Sequence, residues 1–373
     1  MNRKLLISAS LWFAASLALA QSPALTIGQK FSIESKVLGE KRAFWVYMPE
    51  EAEQQPCPVL YLLDGEWNFH YTTGLIRQMI SSGDIPPVYV VGVINTNRNR
   101  DLTPAGPNGS SNARFGGAEA FLRFLSEELH PFLDSTYSLQ PFRILAGHSF
   151  GGLFTIYSMM EKPNLFQGFI ALSPSLGRNS EQQVQIAEAH FKEAGHPTQR
   201  LFLAVGNEGG YTQFSSEKLN RILHKNQPAS LTWRYRHWPE ENHVSITMPG
   251  MRMGLRYLFE GYNLDHFPAL DDFFLVQKHL QDLSTRLGYE ISVPETQFQK
   301  FVGQLIAERD LDYAFFLLEK YKEAYPNSTN LLRYYGDAHL LKGEVGKAKE
   351  FYVKLLELAP EHGDIQQLLE SLK

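Results

Sequence analysis

The chain contains one cysteine among its 373 residues, Cys57. No intrachain disulfide can form, so a large apolar core has to supply the stability that small exported domains draw from cross-links. Cys57 stands between Pro56 and Pro58, ahead of an apolar run, and reads as a buried structural thiol. There is no H-E-x-x-H, no C-x-x-C, no G-x-x-x-x-G-K-[ST] and no basic run. The sequence therefore offers no metal, no nucleotide cofactor and no nucleic-acid partner. A net charge of −5 argues against a polyphosphate binder. Past the first twenty residues no stretch is long and apolar enough to span a membrane. One further absence matters below: no aspartate occurs between Asp134 and Asp265.

The amino-terminal end has a positive start, Arg3 and Lys4, then a mostly apolar stretch from Leu5 to Leu19, then Ala18-Leu19-Ala20. This is the pattern of a secretory signal peptide cut after Ala20, which predicts a periplasmic or secreted protein with no membrane span in the mature chain. Cleavage removes Arg3 and Lys4 and no acid, taking the charge from −5 to −7. The length suits about two domains. Aromatic residues, at 13%, suit a large core or a pocket that grips flat ligands.

Residues 31–48 alternate apolar and polar around Gly39-Glu40, predicting an antiparallel pair, Phe31–Val37 and Arg42–Met48. The runs VLYLLDG (59–65), VYVVGVI (88–94), FRILAGH (142–148), GFIALSP (168–174), LFLAVGN (201–207) and LTWRYRHW (231–238) follow. Most are unbroken and apolar, as parallel strands buried on both faces are. Helical patterns at 118–133, 152–160 and 216–225 lie among them. The expectation is an α/β fold, a doubly wound, mostly parallel sheet with an antiparallel edge. From about residue 265 the strand signal stops; 271–287 reads as a helix and Pro294 punctuates. Gly336, Gly343, Ala348, Tyr352 and Pro360 then sit at tetratricopeptide spacing, and Ala314 and Pro326 stand one repeat earlier. A plain helical bundle is the alternative. The predicted division is 1–20 signal peptide, 21–264 α/β domain, 265–294 helical linker and 295–373 tetratricopeptide-like helices.

Gly147-His148-Ser149-Phe150-Gly151 is a G-x-S-x-G between a predicted strand and a predicted helix, the context of a nucleophile elbow. Such a turn lifts a hydroxyl above the sheet, and the helix beginning beneath it favours developing negative charge. A serine hydroxyl needs a base, and the base needs an orienting acid. In this fold the chain order is serine, acid, histidine. His243 follows the last strand on a Pro-containing loop, whereas His237 lies within the strand, so His243 is the expected base. Without an aspartate in the interval the acid has to be a glutamate. Glu208, just past a buried strand in LAVGNEGG, is the candidate, with Glu241 its main rival. The expected oxyanion donors are the backbone N–H groups of Phe150 and, in LLDGEWNF, of Glu66, with Gly65 turning the chain toward the serine. Asp64 could brace that loop or serve an ordinary turn.

The segments LYLLDGEWNF, NRNRDLTPAG, GHSFGGLF, ALSPSLG, AVGNEGG and WPEENHVS appear in an order that resembles a family of esterases, covering roughly residues 25–262. That family includes S-formylglutathione hydrolases, mycolyltransferases and siderophore esterases of the enterobactin type, and the chain looks most similar to the last branch. The resemblance implies Ser149 as nucleophile, His243 as base and Glu208 as acid of a serine carboxylic ester hydrolase that needs no cofactor and acts on a small-molecule ester. It also implies substrate contacts near the mouth: Trp67, and Arg98 or Arg100 as an anion clamp, although these arginines could equally brace the long 96–117 loop. The helical tail departs from the compact siderophore esterases and suggests a protein partner or a cap over the site. An acyltransferase on the same triad and a non-catalytic scaffold are the other readings.

Overall fold

The computed structural model describes residues 26–372 except Gln54, Ala194, His266, Leu270 and Asp271; the expected signal peptide lies outside the described residues. Strands β1 (Gln29–Ser35) and β2 (Glu40–Tyr47) form the expected antiparallel pair. β3 (Cys57–Leu62) is followed by α1 (Gly65–Ser81), and β4 (Tyr89–Val93) by the single turn α2 (Arg98–Asp101). Helix α3 (Ala118–Phe124) runs into α4 (His130–Thr136) through a π-turn, in which the His130 N–H reaches back to the Leu125 carbonyl. The sequence predicts one continuous helix here. Pro131 cannot donate to the next carbonyl, and the wider turn accommodates that missing N–H.

β5 (Leu139–His148) leads into α5 (Phe150–Glu161), β6 (Gly168–Leu172) into α6 (Arg178–His190), β7 (Gln199–Gly206) into α7 (Gly210–Asn226), and β8 (Leu231–Trp238) into α8 (Thr247–Leu258). The eight strands form one sheet in the order β1-β2-β4-β3-β5-β6-β7-β8. β1, β2 and β4 pair antiparallel and all other neighbours pair parallel. Every residue of β3, β4, β6 and β7 is buried, which is why their sequences read as unbroken apolar runs. β8 is an edge strand, so its burial alternates. One apolar layer packs α3, α5 and α7 on one face of the sheet. The other packs α1 and α8 on the opposite face.

Beyond residue 264 all elements are helical: α9 (Phe273–Leu287), α10 (Glu295–Glu308), α11 (Leu311–Ala324), α12 (Thr329–Leu341), α13 (Val345–Leu358) and α14 (Gly363–Ser371). Phe273, Val276 and Leu280 of α9, Val302 of α10 and Tyr321 of α11 join the same apolar layer as α1 and α8. Tyr289, Pro294 and Tyr325 line one cavity together with Pro56, Cys57, Pro58 and Gln140. Those last residues stand at the amino-terminal ends of β3 and β5, whereas Ser149 follows the carboxy-terminal end of β5. Of the two roles the sequence suggested for the tail, a protein partner or a cap over the site, this part of it does not meet the second: it packs one strand length away, roughly 30 Å for ten residues, at the other end of the sheet. Cys57 is buried there, and burial pushes its thiol pKa up to about 12, in keeping with a structural thiol.

Candidate active site

The carboxy-terminal ends of β3, β5, β6, β7 and β8 converge on one face, where open α/β sheets bind their ligands. At the end of β5, Ser149 takes φ 58° and ψ −114° before α5 begins at Phe150. A Cβ on Gly147 would lie 2.4 Å from the Gly151 backbone, so no side chain fits there. The turn is fixed on both sides: the Ser149 N–H donates to the Leu172 carbonyl (3.0 Å), and its own carbonyl accepts from Leu153 (2.9 Å) and Ser175 (3.0 Å). A non-glycine residue held at positive φ costs on the order of 1–3 kcal/mol, and such strain gathers at functional sites.

Ser149 Oγ stands 3.0 Å from His243 Nε2, and His243 Nδ1 stands 2.6 Å from Glu208 Oε2. The three residues come from three separate strand ends. The other oxygen of Glu208 accepts from the Ser173 hydroxyl and, at 3.3 Å, from the Gly206 N–H. Burial works to raise the Glu208 pKa, but its bonds to His243 and Ser173 outweigh this and hold it below the usual carboxylate value. Glu241, the rival acid, meets this loop through its carbonyl, which accepts from Asn207 (2.7 Å).

Three neighbours carry no sequence motif of their own. Ser173 is wholly buried at φ 41° beneath Glu208. The Ser175 hydroxyl lies 3.2 Å from that of Ser149. His148, the variable residue of the G-x-S-x-G, packs its ring 4.6 Å from that of His243 and places Nε2 2.5 Å from the His243 carbonyl. A carbonyl only accepts, so His148 carries its proton on Nε2. Burial and the neighbouring His243 lower its pKa to about 4, and it stays neutral at pH 7.

Phe150 and Glu66 are the first residue of α5 and the second of α1, so neither N–H has a carbonyl one turn back within its helix. The backbone reversal ahead of α1 is made by Asp64, at φ 55°, not by Gly65. Gly65 is needed for a different reason: a Cβ there would lie 2.6 Å from the backbone of Gly92 in β4.

The two arginines expected as an anion clamp are both occupied. Arg98 forks onto the buried Asp64 carboxylate at 2.7 and 2.9 Å, and its guanidinium lies 5.5 Å from the Trp67 ring and 5.6 Å from the Phe150 ring. Arg100 gives Nε to Asp101 (2.6 Å) and both terminal nitrogens to Glu40 (3.2 and 2.7 Å). The Nε and Nη2 donors of Arg98 and all three nitrogens of Arg100 thus meet the protein's own carboxylates, an arrangement that fits the loop brace better than the clamp. Trp67 is 65% exposed beside Glu66. Tyr211, three residues after Glu208, and Val244, next to His243, are also exposed. Among the described residues no group of three or more His, Cys, Asp or Glu side chains is arranged to hold a metal ion, and no helix is long and apolar enough to cross a membrane.

The chain resembles known proteins throughout this region. It is 33% identical over 163 residues to the ferri-bacillibactin esterase BesA of Bacillus subtilis, a match covering 38% of this chain and 56% of that protein. It thus matches little more than half the length of that relative. It is 28% identical over 251 residues to the siderophore enterobactin esterase of Emericella nidulans, covering 59% of this chain and 82% of the other. The crystal structure of an IroE-like serine hydrolase from Shewanella oneidensis superposes with a TM-score of 0.68 at 28% identity, over 80% of this chain and 99% of that one. The model of the family described as "Putative esterase" matches residues 35–246, which is 212 of the 373 residues and includes every side chain of the arrangement above. The chain belongs to this esterase family.

Proposed function

We propose that the protein is an exported serine ester hydrolase that acts on siderophore-type esters through an acyl-enzyme. The observation that carries the reading is the hydrogen-bonded line from Ser149 Oγ through His243 to Glu208, at 3.0 and 2.6 Å. In the proposed reaction Ser149 Oγ attacks the ester carbonyl carbon while its proton passes to His243 Nε2. The carbonyl oxygen becomes an oxyanion held by the Phe150 and Glu66 N–H groups. The oxyanion collapses, the C–O bond to the alcohol breaks, and the leaving oxygen takes the proton from His243. Water then repeats the sequence on the acyl-enzyme and frees the acid. Glu208 stays ionised, fixes the His243 tautomer and stabilises the imidazolium.

The substrate class rests on the names of the relatives and on the exposed Trp67, next to Glu66, and Tyr211, three residues after Glu208, flat surfaces that suit aryl groups. Export rests on Arg3, Lys4, the apolar stretch after them and the Ala18-Leu19-Ala20 ending. The reading divides the chain into the hydrolase unit 21–264, the linker 265–294 and tetratricopeptide-like helices 295–373. The last are supported by the approach of Gly336 to Tyr352, where a Cβ would lie 2.3 Å from the ring. The test is fluorophosphonate labelling of the full chain with a screen of catecholate siderophore esters. Labelling of wild type but not of Ser149→Ala is expected, with turnover reduced by about 10⁴-fold or more in the variant. Unchanged turnover by folded Ser149→Ala protein would defeat the reading.

A further inference from the structure

A different arginine stands free beside the serine. The chain leaves β6 through Ser173, Pro174 and Ser175 and reaches Arg178 three residues after the hydroxyl that lies 3.2 Å from Ser149 Oγ. The Arg178 N–H donates to the Ser175 carbonyl at 3.3 Å. Its guanidinium carbon lies 4.2 Å from the Phe115 ring centre and 5.7 Å from that of Phe150, the residue after the nucleophile. Nε is buried with no hydrogen-bond partner, and among the described residues no carboxylate lies within ion-pair distance of the guanidinium. Desolvation alone lowers its pKa, with no anion acting in the other direction.

The surrounding chain keeps it free. Asn179, Ser180 and Glu181 all take left-handed backbone angles, with φ 50°, 56° and 62°. Glu181, the nearest acid in sequence, turns away to Ser215 (2.8 Å) and Lys218 (2.5 Å). Three consecutive non-glycine residues held in this region mark a turn fixed by its surroundings, and such strain is kept where it serves a site. Arg98 shows the contrast. It flanks the same Phe150 ring, yet its fork is filled by Asp64.

We propose that Arg178 is the substrate-anion subsite of this active site, taking a carboxylate or another planar oxyanion that the substrate carries close to its scissile ester. A partly desolvated guanidinium lying on aromatic rings offers a planar fork of donors, which a planar oxyanion satisfies in two places at once. The inference rests on the ester-hydrolase reading and names the selectivity of that same site.

The test compares 4-nitrophenyl butyrate with 4-nitrophenyl hemisuccinate, which match in chain length and differ in a terminal carboxylate. Both are assayed with the full chain as wild type, Arg178→Ala, Arg178→Lys and Arg114→Ala. The readout is the ratio of kcat/KM for the anionic ester to that for the neutral ester. Arg178→Ala should lower this ratio by about 10- to 100-fold, the scale of a charged hydrogen bond, with the change in KM. Arg178→Lys keeps the charge without the fork and should recover only part of the ratio. Arg114 is exposed and approaches the same Phe115 ring at 5.6 Å; its replacement should move the ratio less than twofold. Equal losses on both esters in Arg178→Ala, or an unmoved ratio, overturn the inference while leaving the hydrolase reading intact if Ser149→Ala is inactive. A wild type that hydrolyses neither ester and takes no fluorophosphonate defeats the hydrolase reading, and this inference with it.

Discussion

Glu208 accepts three hydrogen bonds, and each bears on what it can do: His243 on one oxygen, Ser173 and Gly206 on the other. Replacing it with glutamine keeps the shape but removes the charge that, in the proposed reaction, would steady the imidazolium. Glu208→Gln should lower kcat by about 10²- to 10⁴-fold with little change in KM. Glu241→Gln should cost little, because Glu241 meets the loop through its carbonyl; a crippled Glu241→Gln enzyme would contradict the assignment. The aspartate-free interval and the glycine-rich strand end pointed to Glu208 in the sequence, and the structure places its carboxylate 2.6 Å from His243 Nδ1. Ser173 and His148 were not legible, since their roles depend on a positive φ and on a contact between residues 95 positions apart. Histidine burial also sets a pH limit. His130 lies against Tyr61 and Phe166, and burial lowers its pKa to about 3. A histidine depressed in the folded state is protonated more readily unfolded, so its contribution to stability is lost as pH falls below the unfolded value of about 6.5. Between pH 6 and 5 the wild type should lose about 1 kcal/mol more than His130→Gln, measured by urea unfolding at each pH.

The strands were legible as elements because burial on both faces leaves no polar positions, and their observed ends differ from the sequence reading by a few residues. The ties between elements were not. Arg42 of β2 is wholly buried and donates to Asp101 of α2 at 2.5 Å and to Glu40 at 2.9 Å, while Arg100 closes the group onto the same two acids. The rings of Phe121 and Phe124 in α3 lie 5.1 and 5.6 Å from the Arg42 guanidinium. Nothing local in the sequence pairs positions 42 and 101, so the sequence left an anion clamp and a loop brace equally open for the arginines of the 96–117 loop, and only the fold shows which carboxylates they meet. This network holds the turn from which Arg98 reaches Asp64. Asp101→Ala would take from the wholly buried Arg42 its shorter, fully buried ion-pair partner and leave only the partly exposed Glu40, and should cost about 3 kcal/mol in chemical unfolding. A loss well under 1 kcal/mol would mean that water or Glu40 replaces the carboxylate.

At the scale of the whole molecule, the helical tail was legible as helices and its placement was not. Its apolar stripes have the same period wherever they dock, and only the folded chain brings them beneath the sheet. The His279 ring nitrogen meets the Gly261 carbonyl at 2.7 Å. Phe273, Val276, Leu280, Leu283 and Leu287 of α9 are almost completely buried, in one layer with Phe142, Leu258 and Phe259 of the sheet domain. Fully burying an apolar side chain of this size contributes about 1.5–3 kcal/mol, so five of them are together comparable to the whole margin by which most domains are stable. A chain ended after residue 264 should therefore lose at least 10 °C in Tm or aggregate on expression. The serine stands at the other end of β5, so whatever fraction stays folded at low temperature should still take up fluorophosphonate within a few-fold of the wild-type rate. An unchanged Tm would show that the tail is an independent module resting on a self-sufficient domain. Normal stability with lost labelling would show that the tail shapes the site across the sheet, which the packing around Ser149 gives no reason to expect.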